Sequence, residues 1–284
     1  MTEPRSTPRE MIFRVRRYDP DTDSAPHWDF YTLNVTDGMT VLEALHQIKA
    51  EKDPTLAWRS ACRMGVCGSC GMFINELPRL ACQTQVLHLG TDVVMAAPLP
   101  NYENVKDLVP NLEPLIEKHA AIKPFIIHPN STEVDEPTGE FIQTSEEREE
   151  FSQFTYCIKC GLCLAACPTM ATDPYFLGPQ ALAQAYRYAV DNRDCGLQER
   201  LEAIDAFHGP YQCHMAGACS VACPKGVDPA FGIQLLKRTL VLDSIGFGKK
   251  PSQVAKVMPL APSGVVKQIE EFAPPPRTVN HRSS

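Results

Sequence analysis

The spacing of its twelve cysteines constrains this chain more than any other feature. Eleven fall into three tight groups: Cys62, Cys67, Cys70 and Cys82; Cys157, Cys160, Cys163 and Cys167; and Cys213, Cys219 and Cys223. A secreted disulfide scaffold can be this rich in cysteine, but it is shorter, carries an export signal and does not need cysteines three apart within one run. Zinc is the stronger rival, since paired C-x2-C knuckles are its signature. Zinc sites close with four ligands, however, and do not call for longer overlapping runs.

The first group sits in RSACRMGVCGSCG, a C-x4-C-x2-C run with Cys82 twelve residues beyond Cys70. That is the plant-type spacing for a 2Fe-2S cluster. Each iron takes two thiolates in a tetrahedral field, so a loop that supplies three and a nearby strand that supplies the fourth surround the cluster. Gly65, Gly68 and Gly71 let this loop bend tightly and turn its N–H groups inward.

The second group, closed by Pro168, reads C-x2-C-x2-C-x3-C-P, the bacterial ferredoxin run whose fourth cysteine serves the other cluster of a pair. Cys213, Cys219, Cys223 and Pro224 repeat its spacing, with Ala216 where the second cysteine would stand. By the crossing rule Cys157, Cys160, Cys163 and Cys223 hold a 4Fe-4S cluster, while Cys167, Cys213 and Cys219 hold the other. Three thiolates suit a 3Fe-4S cluster. A 4Fe-4S cluster with a fourth, non-cysteine ligand is the alternative, and His214 is the only imidazole close by in sequence. Its adjacency to Cys213 directs it away from the gap, which ranks that alternative lower. Cys195, in DNRDCGLQER, fits no ligand spacing and reads as an ordinary free thiol.

Around these runs the chain changes texture. Phe13 and Val15 alternate with Arg14 and Arg16, and Tyr31, Leu33 and Val35 with Thr32 and Asn34, the period of half-buried strands. Thr40 and Glu43 form a capping box for a helix to about Lys52, with Val41, Leu42, Leu45 and Ile48 on its apolar face. Gly71–Ile74, Leu80–Cys82 and Val93–Met95 are expected as short strands, the first two joined around Glu76, Leu77 and Pro78. Prolines then punctuate a connector expected to hold one short helix. Beyond it the text is helical: Thr144 and Glu147 cap one helix ending near Cys157, Pro179 opens another through Tyr188, and Asp228 with Pro229 a third through about Leu242. An extended or frayed tail is expected after Lys250.

A formal net charge of -7 with no basic stripe excludes a nucleic-acid partner. No apolar run is long enough to span a bilayer, and the polar start MTEPRSTPRE lacks the layout of a secretory signal, so a cytoplasmic chain is expected. No G-x-G-x-x-G fingerprint for a dinucleotide is convincing.

The order of 2Fe-2S run, connector and paired runs with one cysteine missing resembles the iron-sulfur subunit of succinate dehydrogenases and fumarate reductases over nearly the whole chain. RSACRMGVCGSCG, KDLVPNLEP, CIKCGLCLAACP and ACPKGVDP carry the likeness. The resemblance implies an α+β chain: a β-grasp 2Fe-2S ferredoxin-like domain over 1–105, a connector over 106–144, an all-α helical ferredoxin domain over 145–248 and a tail over 249–284. It further implies partners: an FAD-bearing flavoprotein subunit, and a membrane anchor of one or more subunits, with or without haem. Electrons would pass between flavin and quinone through 2Fe-2S, 4Fe-4S and 3Fe-4S clusters at the cytoplasmic face of the cell membrane. By position, Pro168, Thr169, Met170, His214 and Lys237 match the part of the family's subunit that approaches quinone, and His214 is placed to relay a proton. The bland readings are a solvated Lys237 and a surface His214. The segment PYFLGPQALAQAYRYAVDNRD is similar to fumarate reductases and menaquinone-linked enzymes, and no tryptophan follows Pro168, whereas His214 is a feature of succinate dehydrogenases; menaquinone is favoured. Two rivals remain: the iron-sulfur subunit of another flavoprotein oxidoreductase, and a zinc-stapled interaction module without redox chemistry.

Overall fold

The computed structural model describes residues 8–130, 132–136, 139–248 and 257–259. It begins with strands β1 (Arg9–Arg17) and β2 (His27–Val35), helix α1 (Val41–Glu51), and strands β3 (Gly71–Ile74), β4 (Leu77–Leu80) and β5 (Val93–Ala97). They form one sheet in the order β2-β1-β5-β3-β4, with β1 parallel to β5 and the other neighbours antiparallel. Alternation puts one apolar set on one face: Met11, Phe13 and Val15 of β1, Leu33 and Val35 of β2, and Val94 and Ala96 of β5 are all buried. Helix α1 covers that face with Val41, Leu42, Ala44, Leu45 and Ile48, and Thr40 and Glu43 form the expected capping box.

The strand expected over Leu80–Cys82 is displaced. Asn75 and Glu76 take left-handed φ values of 44° and 63° and close a two-residue hairpin, so Leu77 and Pro78 already pair with β3. Pro78 is tolerated because β4 is the edge strand. The pairing therefore ends at Leu80, and Cys82 sits on a 3-10 turn, Ala81–Gln83.

The connector holds more structure than expected. It contains a small hairpin, β6 (Asn104–Lys106) with β7 (Val109–Pro110), helix α2 (Glu113–Ala121), a single turn α3 (Thr132–Asp135) and strand β8 (Gly139–Phe141). Asp107 anchors it. This carboxylate is 1% exposed, and it accepts hydrogen bonds from Arg17 Nε at 3.0 Å, Tyr18 N at 3.0 Å and Ala57 N at 2.8 Å. A buried charge is tolerated only when paired and hydrogen-bonded in this way.

The second half is helical: α4 (Ser145–Thr155), α5 (Leu162–Ala165), α6 (Pro168–Thr172), α7 (Pro179–Val190), α8 (Leu197–Ile204), α9 (Ala218–Val221) and α10 (Pro229–Leu242). The Thr144 and Glu147 capping box is present. Helix α7 runs two residues past the expected Tyr188. Helix α10 packs against α7 and α4 closely enough that a Cβ on Gly232 would stand 2.7 Å from Phe154 Cε1. Arg200, fully buried, pairs with Asp194 at 2.7 Å and donates to the carbonyls of Ile122, Lys123 and Phe125, which ties α8 to the connector just after α2. The expected tail lies outside the described residues, except that β9 (Val257–Pro259) pairs with β8.

Helix α5 belongs to both cores. Leu162 and Ala165, three apart on one face, are buried in the core of the first sheet, while Cys163 and Leu164 face the helical core. A single helical turn thus divides two hydrophobic clusters by its own periodicity.

Candidate iron-sulfur centres

The loop from Cys62 to Cys70 wraps sulfur with backbone donors. The N–H groups of Val66 and Cys67 lie 3.3 Å from Cys62 Sγ, and that of Met64 lies 3.5 Å away. Left-handed φ values at Arg63 (57°), Gly65 (69°) and Gly68 (76°) produce this inward turn. Hydrogen bonds from Ser69, with help from the Cys62 backbone, pull the exposed Cys67 thiol down to about 6, whereas burial pushes Cys70 up to about 12. Cys82 is buried and lies within hydrogen-bonding reach of Cys70.

The two later runs repeat one backbone. Lys159 and Gly161 have φ of 54° and 81°, and Met215 and Gly217 have 57° and 72° at the equivalent steps. Gly161 then caps α5 and Gly217 caps α9, each in left-handed conformation. The repeat builds two cavities. One is lined by Cys157, Cys160, Cys163 and Cys223, the other by Cys167, Cys213 and Cys219. Ala216 lines the second, where its run departs from the first. Burial drives the Cys160 and Cys219 thiols up to about 11 and holds Cys163 well above the ordinary thiol value, so these sulfurs stay protonated unless a metal takes the proton's place.

These donor sets fit iron-sulfur clusters. All eleven cysteines of the runs are free thiols, and the cavity walls are otherwise mainly apolar. Among the described residues no three His, Cys, Asp or Glu side chains converge on a point that would hold a single metal ion.

Of the residues expected near quinone, Pro168, Thr169 and His214 line the second cavity. Pro168 and His214 are exposed, whereas Thr169 is 2% exposed. Met170 is instead a core residue, packed behind Gly178, and Lys237 lies on α10 outside both linings. A groove of about 1010 Å³ runs beside the second cavity between the β3–β4 hairpin and α5 and α9, with Pro78, Gln83, Leu162, Pro168, Ala216 and Val221 among its walls.

Several site residues carry no motif and were invisible in sequence. Asn101 donates from Nδ2 to the carbonyls of Leu164 (2.9 Å), Ala165 (3.2 Å) and Cys167 (3.1 Å), capping α5 from the sheet side. Tyr102 donates its hydroxyl to Gly161 O at 3.0 Å. Gly68 touches the second run directly: a Cβ there would stand 2.7 Å from Cys160 Cβ. Gln180 and Gln184 line the first cavity among its cysteines.

Sheet, helical half and paired cavities together define a two-domain iron-sulfur protein with a 2Fe-2S module followed by a dicluster module. A family model described as a 2Fe-2S iron-sulfur cluster binding domain matches residues 12–117, and one described as a 4Fe-4S dicluster domain matches residues 153–227. The chain belongs to the family of fumarate reductase and succinate dehydrogenase iron-sulfur subunits. It is 42% identical to the fumarate reductase iron-sulfur subunit of Mycobacterium tuberculosis over 81% of this chain and 92% of that one. It is 39% identical to the succinate dehydrogenase iron-sulfur subunit of Paracoccus denitrificans, over 81% and 87% of the two chains. Among solved structures it is similar to a chain of the Mycobacterium smegmatis Sdh1 complex in the apo form, with TM-score 0.74 and 29% identity over 84% of this chain and 97% of that chain. No helix among the described residues is long and apolar enough to cross a membrane.

Proposed function

We propose that this chain is the electron-transfer subunit of a succinate:quinone oxidoreductase, relaying electrons between the FAD of a flavoprotein partner and a membrane quinone. The contact of Gly68 with Cys160 carries the reading, because it sets the 2Fe-2S loop directly against the 4Fe-4S run. Bound at these sites, the clusters would supply one-electron transfer, while the protein supplies spacing, insulation and hydrogen bonds that tune potential. Cys62, Cys67, Cys70 and Cys82 hold the 2Fe-2S cluster; Cys157, Cys160, Cys163 and Cys223 hold the 4Fe-4S cluster; and Cys167, Cys213 and Cys219 hold a 3Fe-4S cluster. The two later runs interleave, Cys223 joining the cavity of the first run and Cys167 that of the second, which supports paired iron-sulfur clusters over the zinc alternative.

The lining of the second cavity supports quinone at that end of the relay, with Pro168 and Thr169 beside it and His214 exposed to move a proton. The family resemblance alone keeps Met170 and Lys237 in this vicinity, since Met170 is core and Lys237 lies on α10 outside the lining. Menaquinone is the quinone we assign, on the tryptophan-free stretch Thr169, Met170, Ala171 and Thr172. Exposed apolar side chains support two docking faces. Met64 (67% exposed) and Val66 (55%) project from the 2Fe-2S loop for the flavoprotein, and Met215 (63%) and Val221 (86%) border the second cavity and groove for the membrane anchor. The chain then lies peripherally on the cytoplasmic face of the membrane. The domain limits we assign are 1–105, 106–144, 145–248 and 249–284.

Low-temperature electron paramagnetic resonance on the native membrane-bound complex tests this reading, recorded oxidised, after succinate and after dithionite. The expected result is an oxidised 3Fe-4S signal that succinate abolishes and a 2Fe-2S signal that appears on reduction. A 3Fe-4S signal that ignores succinate but responds to another donor would remove the dicarboxylate link. No iron-sulfur signal in intact anaerobic material would return the zinc module to first place.

A further inference from the structure

Helix α7 presents a mostly alanine and leucine face to the helical core, yet its first two turns bury two amides, Gln180 (2% exposed) and Gln184 (3%). Gln184 is accounted for by packing: its Nε2 donates to Phe154 O at 2.7 Å and its Oε1 accepts from Arg187 at 3.1 Å. Gln180 is not. Its Oε1 has no partner, while its Nε2 lies 3.1 Å from His119 Nδ1 and 3.9 Å from Cys157 Sγ. A buried amide with an unpaired carbonyl destabilises a fold, and an apolar side chain of similar shape would fill the site without that penalty. What the amide adds is a donor aimed at sulfur. The opposite amide orientation would turn the carbonyl oxygen toward a thiolate that can only accept, so the Nε2 side faces Cys157.

We propose that Gln180 donates an N–H to the Cys157 sulfur and thereby raises the reduction potential of the 4Fe-4S cluster, with His119 as the positioning residue that holds the amide. The proposal rests on the assignment of that cluster to Cys157, Cys160, Cys163 and Cys223, whose cavity Gln180 lines. Reduction adds negative charge to cluster and thiolates, and a fixed N–H dipole stabilises the added charge more than it stabilises the oxidised form. His119 sits on α2, so an element of the connector adjusts a site built by the helical half.

The test is a redox titration of the full membrane-bound complex, followed by electron paramagnetic resonance, for wild type, Gln180→Met and His119→Leu. Gln180→Met keeps length and volume and removes the donor. The expected result is a 4Fe-4S midpoint shifted to more negative potential in Gln180→Met, a smaller shift of the same sign in His119→Leu, and unchanged 2Fe-2S and 3Fe-4S midpoints. A 4Fe-4S midpoint that coincides with wild type in Gln180→Met overturns the proposal, as does a parallel shift of all three clusters, which would report general repacking. Should Gln180→Met lose the cluster, His119→Leu decides, because it leaves the cavity wall intact; an unchanged midpoint there overturns the proposal. Absence of any 4Fe-4S signal in wild type would overturn the cluster assignment instead.

Discussion

Ala216 occupies the step at which Cys160 stands in the other run, on a backbone whose flanking φ values nearly coincide: 57° and 72° around Ala216 against 54° and 81° around Cys160. A cysteine there would meet the cavity with the geometry its counterpart already has. Ala216→Cys is therefore expected to supply a fourth thiolate and to convert the 3Fe-4S cluster we propose for this site to 4Fe-4S. The oxidised paramagnetic signal of the wild-type site should disappear in this variant; its survival at full strength would show that residue 216 does not face the cluster. The three thiols of this site and the four of its neighbour could be paired from spacing alone, because the crossing rule depends only on the repeat. Gln180 could not. Nothing in GPQALAQAYR distinguishes an amide that faces a cysteine from one that caps a carbonyl, as Gln184 does.

Among the elements, α5 does the most for its length. It is four residues long, and its own hydrogen bonds cannot stabilise a helix of one turn. The Asn101 side chain holds its carboxyl end by donating to three carbonyls, and Asn101 itself takes a left-handed φ of 63° that asparagine tolerates better than most residues. Asn101→Gly keeps that conformation and removes the donor. The carbonyls of Leu164 and Cys167 keep backbone donors from Cys167 and Ala171, so the loss falls chiefly on Ala165 O and is expected to cost about 1–3 kcal/mol, read as a lower midpoint in denaturant unfolding. Since α5 joins the two cores, cleavage by a protease between them should also quicken; unchanged stability and cleavage would mean that Leu162 and Ala165 suffice to seat the helix. Helices α4, α7 and α10 were legible from caps and prolines, which act locally. The β4 strand and the 3-10 turn under Cys82 were not, because the hairpin at Asn75 and Glu76 requires two left-handed residues where neither is glycine.

In the whole molecule, contacts between distant segments also set the response to acid. Burial, with Lys159 and Arg187 nearby, pushes His119 down to about 4, and Gln180 is its hydrogen-bond partner. An unfolded histidine takes up its proton near 6.5. As pH falls from about 6.5 to about 4 the unfolded chain therefore binds a proton that the native chain refuses, and stability declines with acid over that window. Urea unfolding at fixed pH values should show wild type losing more stability than His119→Leu between these limits; parallel curves would place the acid sensitivity elsewhere. The Arg17 cluster is a second long-range device, in which β1, the loop after α1 and the connector meet through Asp53 and Asp107.

The sequence by itself determined the three cysteine groups, the fold class and the caps of the main helices, and it carries the pairing we propose for the later two runs. Each of these depends on spacing within a few residues or on a repeat, and backbone geometry converts such spacing directly into structure. Only the tertiary structure decided that Gly68 rests on Cys160, that Asn101 and Tyr102 hold α5 from the sheet side, that Met170 is core rather than cavity wall, and that Gln180 points at Cys157. Those contacts join residues from separate segments of the chain. They exist because two apolar faces had to be buried against each other, and no local pattern records which polar groups that burial brings together.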